Sequence, residues 1–148
     1  MKTLSKTLTF FICIFLFASS CDLLYEEEEE EESKDVIVTV SLMVEANYAS
    51  TVEDAAGEPV NIKIFKEGVT ITKKLITDNY GAAYYITGSY RMHEGEVFTA
   101  SAYLSNHPDV YQTMTLEYSD AYSSAETYED GSPRTFTWEP ILILTIRS

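Results

Sequence analysis

Histidine, carboxylate and hydroxyl side chains are the usual catalytic groups, and their spacing in this sequence predicts no catalytic centre. The chain contains two histidines, His93 and His107, and neither stands in a pattern typical of a catalytic triad. No Gly-x-Ser-x-Gly nucleophile motif is present. With 24 acidic residues in 148, some pair of carboxylates will lie close together in any fold, so a glycosidase is not indicated. We therefore expect a protein that is not an enzyme.

The same residue types were considered as metal ligands. His93 is followed by Glu94 and Glu96, but a zinc site takes about four converging ligands and no cysteine is near. Calcium takes six to eight oxygens, commonly from a loop rich in Asp or Asn, and no Asp-x-Asp-x-Asp run exists. We therefore expect no cofactor, although calcium stays open for six acidic loop residues, which are Glu53, Asp54, Glu58, Glu126, Glu129 and Asp130.

Three tyrosines are the best candidates for contact with a partner. Tyrosine offers a large contact area at low entropic cost and is enriched at binding surfaces. Tyr122 and Tyr128 fall in a polar stretch, 119–133, that we predict to be a long loop, and Tyr90 falls in a predicted irregular connection. The alternative is that these rings cover the ends of the core. The net charge of −14 argues against a nucleic-acid partner, so we expect a protein or a glycan.

The first twenty residues have the pattern of a secretory signal peptide. Lys2 and Lys6 precede the apolar run 8–17, which is about half the length that a bilayer-spanning helix needs. Small residues at 18–20 then lead to Cys21, and the sequence Ala-Ser-Ser-Cys resembles the lipobox of bacterial lipoproteins. This resemblance implies that residues 1–20 are removed and that the thiol of Cys21 carries lipid. Ordinary cleavage after residue 20 is the alternative.

Residues 21–35 form a predicted flexible tether. Seven consecutive glutamates, Glu26–Glu32, repel one another and cannot form a core. An acidic cluster after a lipidated cysteine resembles the surface-export signal of Bacteroidota-type lipoproteins, which implies the outer membrane. Asp22, directly after the cysteine, resembles the inner-membrane retention signal of other bacteria. We expect an envelope protein at the outer membrane, either exposed on the surface or facing the periplasm.

The alternation of apolar and polar residues over 36–148 predicts one all-β domain. Apolar side chains alternate from Val36 to Ala46, which is typical of a strand with one buried face. Further alternating runs are separated by turn residues, and no amphipathic helix is evident. We predict a single antiparallel β-sandwich of about seven strands. The expected details are a short strand at 82–86, an irregular piece at 88–95 and a turn at 106–109. Pro140 is expected to split the last strand, and the run ILILTI after it to be central.

The stretch from Val52 to Tyr103 resembles the carboxypeptidase-regulatory-like, or transthyretin-like, β-sandwich. The shared pattern is an acidic residue, Gly-x-Pro-Val, a Thr-Asp-x-x-Gly turn, an aromatic strand and a Gly-Glu pair. The resemblance implies an Ig-like or prealbumin-like sandwich and a non-catalytic binding, accessory or structural role. The matching residues are Asp54, Gly57, Pro59, Val60, Thr77, Asp78, Gly81, Tyr84, Tyr85, Gly95 and Glu96.

These observations predict a membrane-anchored envelope lipoprotein whose sandwich is a non-catalytic binding or accessory module. Its expected partners are membrane lipid through Cys21 and a protein or glycan. The alternatives are a purely structural spacer without a ligand and, least favoured, an enzyme.

Overall fold

The computed structural model describes residues 34–51 and 53–147. The predicted signal peptide 1–20, Cys21 and the glutamate run lie outside the described residues. The described chain is mostly β, as predicted, and has eight strands and one short helix where about seven strands were expected. The elements are β1 (Val36–Tyr48), β2 (Pro59–Lys66), β3 (Val69–Ile76), β4 (Ala82–Met92), β5 (Val97–Leu104), β6 (His107–Glu117), α1 (Tyr118–Ser124), β7 (Arg134–Trp138) and β8 (Ile141–Ile146).

The strands form two sheets with a common core. In the first sheet β1 is central. β4 pairs along one side of it, and on the other side β7 pairs with its first half and β8 with its second half. The second sheet has the order β3-β2-β5-β6. One cluster of buried apolar side chains draws on strands of both sheets, which is the arrangement of a sandwich. From β1 it takes the predicted alternate residues Val36, Val38, Val40, Leu42, Val44 and Ala46, each at most 2% exposed.

The prediction of a purely antiparallel sandwich is wrong for the first sheet. β1 pairs with β4 in the antiparallel sense, but its pairings with β7 and β8 are both parallel. Apolar alternation gives the buried face of a strand and not the direction of its neighbour, so the sequence did not carry this information. The split at Pro140 is confirmed: its carbonyl oxygen accepts a 3.0 Å hydrogen bond from the Met43 amide between the two parallel pairings.

β4 is longer than predicted because a β-bulge lies in its middle. Thr39 pairs with Ser89 and Ser41 with Ile86, so Thr87 and Gly88 together oppose Val40. The buried Thr87 hydroxyl accepts a 3.0 Å hydrogen bond from the Val40 amide in place of a ladder partner. The extra residue shifts the alternation of inward-facing and outward-facing side chains in β4 by one position. The predicted end of the strand at residue 86 is therefore wrong, and of the irregular piece predicted at 88–95 only residues 93–95 lie outside a strand.

Three further boundaries differ from expectation. The turn predicted at 106–109 is tighter, since only Ser105 and Asn106 form it and β6 begins at His107. The predicted loop 119–133 begins with α1, whose buried residue is Ala121. The run ILILTI is not central, because β8 pairs with β1 and, among the described residues, with no strand on its other side. No helix in the described residues has the length and apolarity needed to span a bilayer.

Candidate functional site

One end of the sandwich gathers most of the described charge pairs. It contains the start of β1, the β2–β3 turn, the β4–β5 turn at 93–96 and the start of α1. We call it the proximal end, because the chain enters the sandwich here. The register explains the grouping, since Val36 at the start of β1 pairs with Met92 at the end of β4 and with Arg134 at the start of β7.

A nearly buried ion pair joins two turns at the proximal end. The Lys66 ammonium lies 2.7 Å from Oε1 of Glu96, and these side chains are 7% and 15% exposed. The other oxygen, Oε2, accepts a 2.7 Å hydrogen bond from the His93 amide. Burial raises the pKa of Glu96, but the bonds from Lys66 and the His93 amide outweigh it, so the net pKa is lowered. Glu96 therefore ties the β2–β3 turn to the β4–β5 turn.

A second, more exposed group surrounds Asp35. Its two carboxylate oxygens lie 2.8 Å from Nδ1 of His93 and 2.9 Å from a guanidinium nitrogen of Arg91. The hydrogen bond with His93, and then the Arg91 contact, lower the pKa of Asp35 against the opposing effect of burial. His93 therefore fastens the first described residues of the chain to the end of β4.

A depression of about 670 Å³ opens beside these groups. Tyr118 and Tyr122, one turn apart on α1, give it an aromatic wall. Its other lining side chains include carboxylates, an ammonium and a hydroxyl, so it offers both hydrogen-bond donors and acceptors. The lining residues are Lys34, Glu94, Gly95, Glu96, Val97, Glu117, Tyr118, Ser119 and Tyr122.

The aromatic wall is held from both sides. The Tyr118 hydroxyl donates to the backbone carbonyl of Lys34, and its ring lies 5.5 Å from that of Tyr122. Arg134 at the start of β7 places its guanidinium 4.0 Å from the centre of the Tyr122 ring, which is cation–π geometry. Burial, followed by the charges of neighbouring groups including Glu94, raises the pKa of Tyr118. The Tyr118 hydroxyl therefore keeps the proton that it donates to the Lys34 carbonyl.

The structure separates the three predicted tyrosines. Tyr122 lines the depression, as part of α1 and not of a loop. Tyr128 is 46% exposed and its hydroxyl lies 3.0 Å from that of Thr135, but it is not part of the lining. Tyr90 lies in β4, where it packs partly buried against the core, so its predicted place in an irregular connection is wrong.

Sequence reasoning missed most of this depression. No helix was predicted at Tyr118, and Glu94 and Glu117 stand in segments far apart in sequence. They meet because β5 pairs with β6, which puts Val97 opposite Glu117 and the β4–β5 turn beside α1. The available signal was the i, i+4 spacing of Tyr118 and Tyr122, which is one helical turn.

In the described parts of the chain, no three His, Cys, Asp or Glu side chains are grouped as metal ligands. Comparison with protein-family models, curated proteins and solved structures gives no match. The site therefore has to be interpreted from its own geometry.

Proposed function

We propose that this protein is a lipid-anchored envelope protein whose sandwich is a non-catalytic glycan-binding module, with the proximal depression as its ligand site. The anchor is lipid on Cys21, at the outer membrane, and the fold is of the carboxypeptidase-regulatory-like, prealbumin-like class. The observation that carries the ligand site is the wall formed by Tyr118 and Tyr122 beside the carboxylates of Glu94 and Glu117.

A sugar suits this lining better than an apolar small molecule does. Sugar rings present C–H faces that pack on aromatic rings, and hydroxyls that both donate and accept hydrogen bonds. Glu94 and Glu117 supply acceptors, while Lys34 and Ser119 supply donors. The depression is open, which suits a chain passing across it.

The position of the site favours a ligand close to the membrane. Lys34, which lines the depression, stands two residues after the glutamate run in sequence, so the segment that leads to the proposed anchor begins at the end of the domain that holds the depression. Glycans of the envelope itself fit this position.

The test compares matched pairs of variants on an array of bacterial envelope glycans. Glu117→Gln and Tyr122→Leu alter the depression, whereas Glu129→Gln and Tyr128→Leu alter the same residue types outside it. Hydrogen bonds to charged groups contribute about 1.5 kcal/mol or more, so Glu117→Gln should weaken binding roughly tenfold. The two control variants should bind as the wild type does.

The alternatives give different outcomes. A purely structural spacer retains no glycan above the level of a chain altered at both lining residues. A protein partner gives binding to envelope extract that survives enzymatic removal of glycans. Either outcome rejects the glycan proposal.

The anchor is tested separately. A radiolabelled fatty acid fed to cells should label the wild-type chain and not Cys21→Ser. A mature N-terminus with a bare Cys21 thiol, or with residues 1–20 retained, would contradict lipidation without affecting the glycan test.

A further inference from the structure

The outer face of the second sheet carries a strip of mostly uncharged side chains along β5 and β6. The residues of these strands that face away from the core pair across the ladder, so their side chains form four successive rows. Glu117 in the first row is the one charged member of the strip. The rows are Val97 with Glu117, Thr99 with Thr115, Ser101 with Thr113, and Tyr103 with Tyr111.

The first row of the strip is also part of the proximal depression. Val97 and Glu117 both line the depression, and Val97 is 40% exposed. Tyr118, which follows Glu117, places the aromatic wall at this end of the strip. The depression therefore opens directly onto the strip, and a ligand that fills it can continue along β5 and β6.

The last row of the strip is a pair of exposed tyrosines. Tyr103 and Tyr111 lie opposite each other on neighbouring strands and are 43% and 73% exposed. Neither belongs to the aromatic side chains that pack against the core, and neither hydroxyl has a hydrogen-bond partner within the described ranges. Tyr111 also borders a second depression, of about 370 Å³, that β6 forms with residues 143–147. Both rings are therefore available to a ligand.

The two middle rows present four hydroxyl groups between the aromatic ends. The hydroxyls of Thr99, Thr113 and Thr115 make no hydrogen bond to other described residues. The Ser101 hydroxyl donates a 3.3 Å hydrogen bond to the Lys63 carbonyl and keeps its capacity to accept. Hydroxyls that can donate and accept match those of a sugar chain, so the whole strip offers sugar-compatible contacts from one end to the other.

We propose that the ligand is an uncharged polysaccharide chain that runs from the proximal depression along β5 and β6 to the pair of Tyr103 and Tyr111. This inference rests on the proposed function and adds the length, direction and charge of the glycan. Six residues of an antiparallel strand separate Val97 from Tyr103 and span roughly 20 Å. A single sugar ring cannot reach both aromatic ends, whereas a polymer contacts them together.

Charge is the reason for choosing an uncharged chain as the occupant. The net charge of −14 repels an acidic polysaccharide, and so do the carboxylates of Glu94 and Glu117 at the proximal end. Lys63 borders the strip from β2, opposite Ser101, but the strip itself contains no ammonium or guanidinium group. A neutral sugar polymer meets neither repulsion nor an uncompensated charge along the last three rows.

The dependence of affinity on ligand length tests the proposal. The full-length chain in detergent is titrated with neutral envelope glycans, each as a disaccharide and as a long chain. We expect the long chain to bind at least tenfold more tightly. Tyr111→Leu should weaken long-chain binding roughly fivefold, the size expected for one aromatic contact, and leave the disaccharide unaffected. Tyr122→Leu should weaken both lengths, and the control Tyr84→Leu, a 63% exposed tyrosine on β4, should weaken neither.

A second pair of variants blocks the middle of the strip. Thr113→Arg places a bulky charge between the two aromatic ends and should reduce long-chain affinity at least fivefold without changing disaccharide affinity. Thr72→Arg is the matched control, because Thr72 is an exposed threonine of the same row of the sheet but lies on β3, outside the strip.

The failures of this inference and of the proposed function differ. Equal affinity for the two lengths, unchanged long-chain binding in Tyr111→Leu or Thr113→Arg, or an equal effect of either control would overturn the long-chain inference and leave the depression as the site of a short glycan. Tighter binding of acidic than of neutral polysaccharides would overturn it as well. Absence of binding to every glycan at either length would overturn both proposals.

Discussion

The ammonium of Lys66, the last residue of β2, lies 2.7 Å from the carboxylate of Glu96 in the β4–β5 turn, and both side chains are largely withdrawn from water. Removing one partner of such a pair leaves the other charge buried without compensation, which costs more than the pair itself contributes.

We therefore expect Glu96→Gln to lower the free energy of unfolding by about 2 to 3 kcal/mol. The double variant Lys66→Met with Glu96→Gln should recover most of this loss, because no unpaired ammonium remains. Denaturant unfolding followed by Trp138 fluorescence measures both. A double variant less stable than Glu96→Gln would contradict the explanation.

The free energy of unfolding should decrease in acid partly because Asp35 and Glu96 become protonated. The pKa values of both are lowered by folding, from ordinary values of 3.8 and 4.5. The unfolded chain therefore binds protons more readily than the folded chain does. The contribution of the two carboxylates to the free energy of unfolding is complete above about pH 5 and is lost as the pH falls through their folded-state pKa values. Urea unfolding as a function of pH should show a shallower acid slope for Asp35→Asn and for Glu96→Gln. A slope equal to that of the wild type would contradict this.

The side-chain hydrogen bond at the bulge in β4 depends on a single hydroxyl group, that of Thr87. Thr87→Val keeps the shape of the side chain but removes the acceptor for the buried Val40 amide, so it should cost about 1 to 3 kcal/mol. Thr87→Ser retains the acceptor and should cost clearly less. Equal losses for the two variants would mean that packing, and not the hydrogen bond, is responsible.

Two glycines with the same backbone conformation should respond differently to alanine. Gly57 and Gly81 have φ values of 74° and 70°, a region that costs an ordinary residue about 1 to 2 kcal/mol. A Cβ at position 57 meets nothing within 4 Å, whereas at position 81 it would overlap the Ala46 carbonyl oxygen. Gly57→Ala should therefore lose about 1 kcal/mol and Gly81→Ala about 3 kcal/mol or more, measured by thermal or denaturant unfolding. Similar losses would contradict the overlap.

The sequence predicted those features that depend on neighbouring residues. The alternation in β1 gave its buried face, and Asp78 to Gly81 gave the turn before β4. The parallel direction of two strand pairings was not predicted, because almost the whole domain separates β7 and β8 from β1 in sequence. α1 was missed because seven residues with one buried alanine leave no amphipathic period.

The candidate site was predicted only in part, for a related reason. Tyr122 was identified from its residue type, but the depression depends on carboxylates from two other segments, which the β5–β6 pairing brings to α1. Tyr128 stands six residues after Tyr122, and the two differ in whether they border the depression. Residue type alone does not separate them.

The parallel pairing of β1 with β7 and β8 has a consequence for biosynthesis. β1 is the first strand of the described residues and β7 and β8 are the last two, so the parallel ladders of the first sheet cannot form until the chain has been synthesised through Ile146. Until then the described part of the first sheet can consist of β1 and β4 alone.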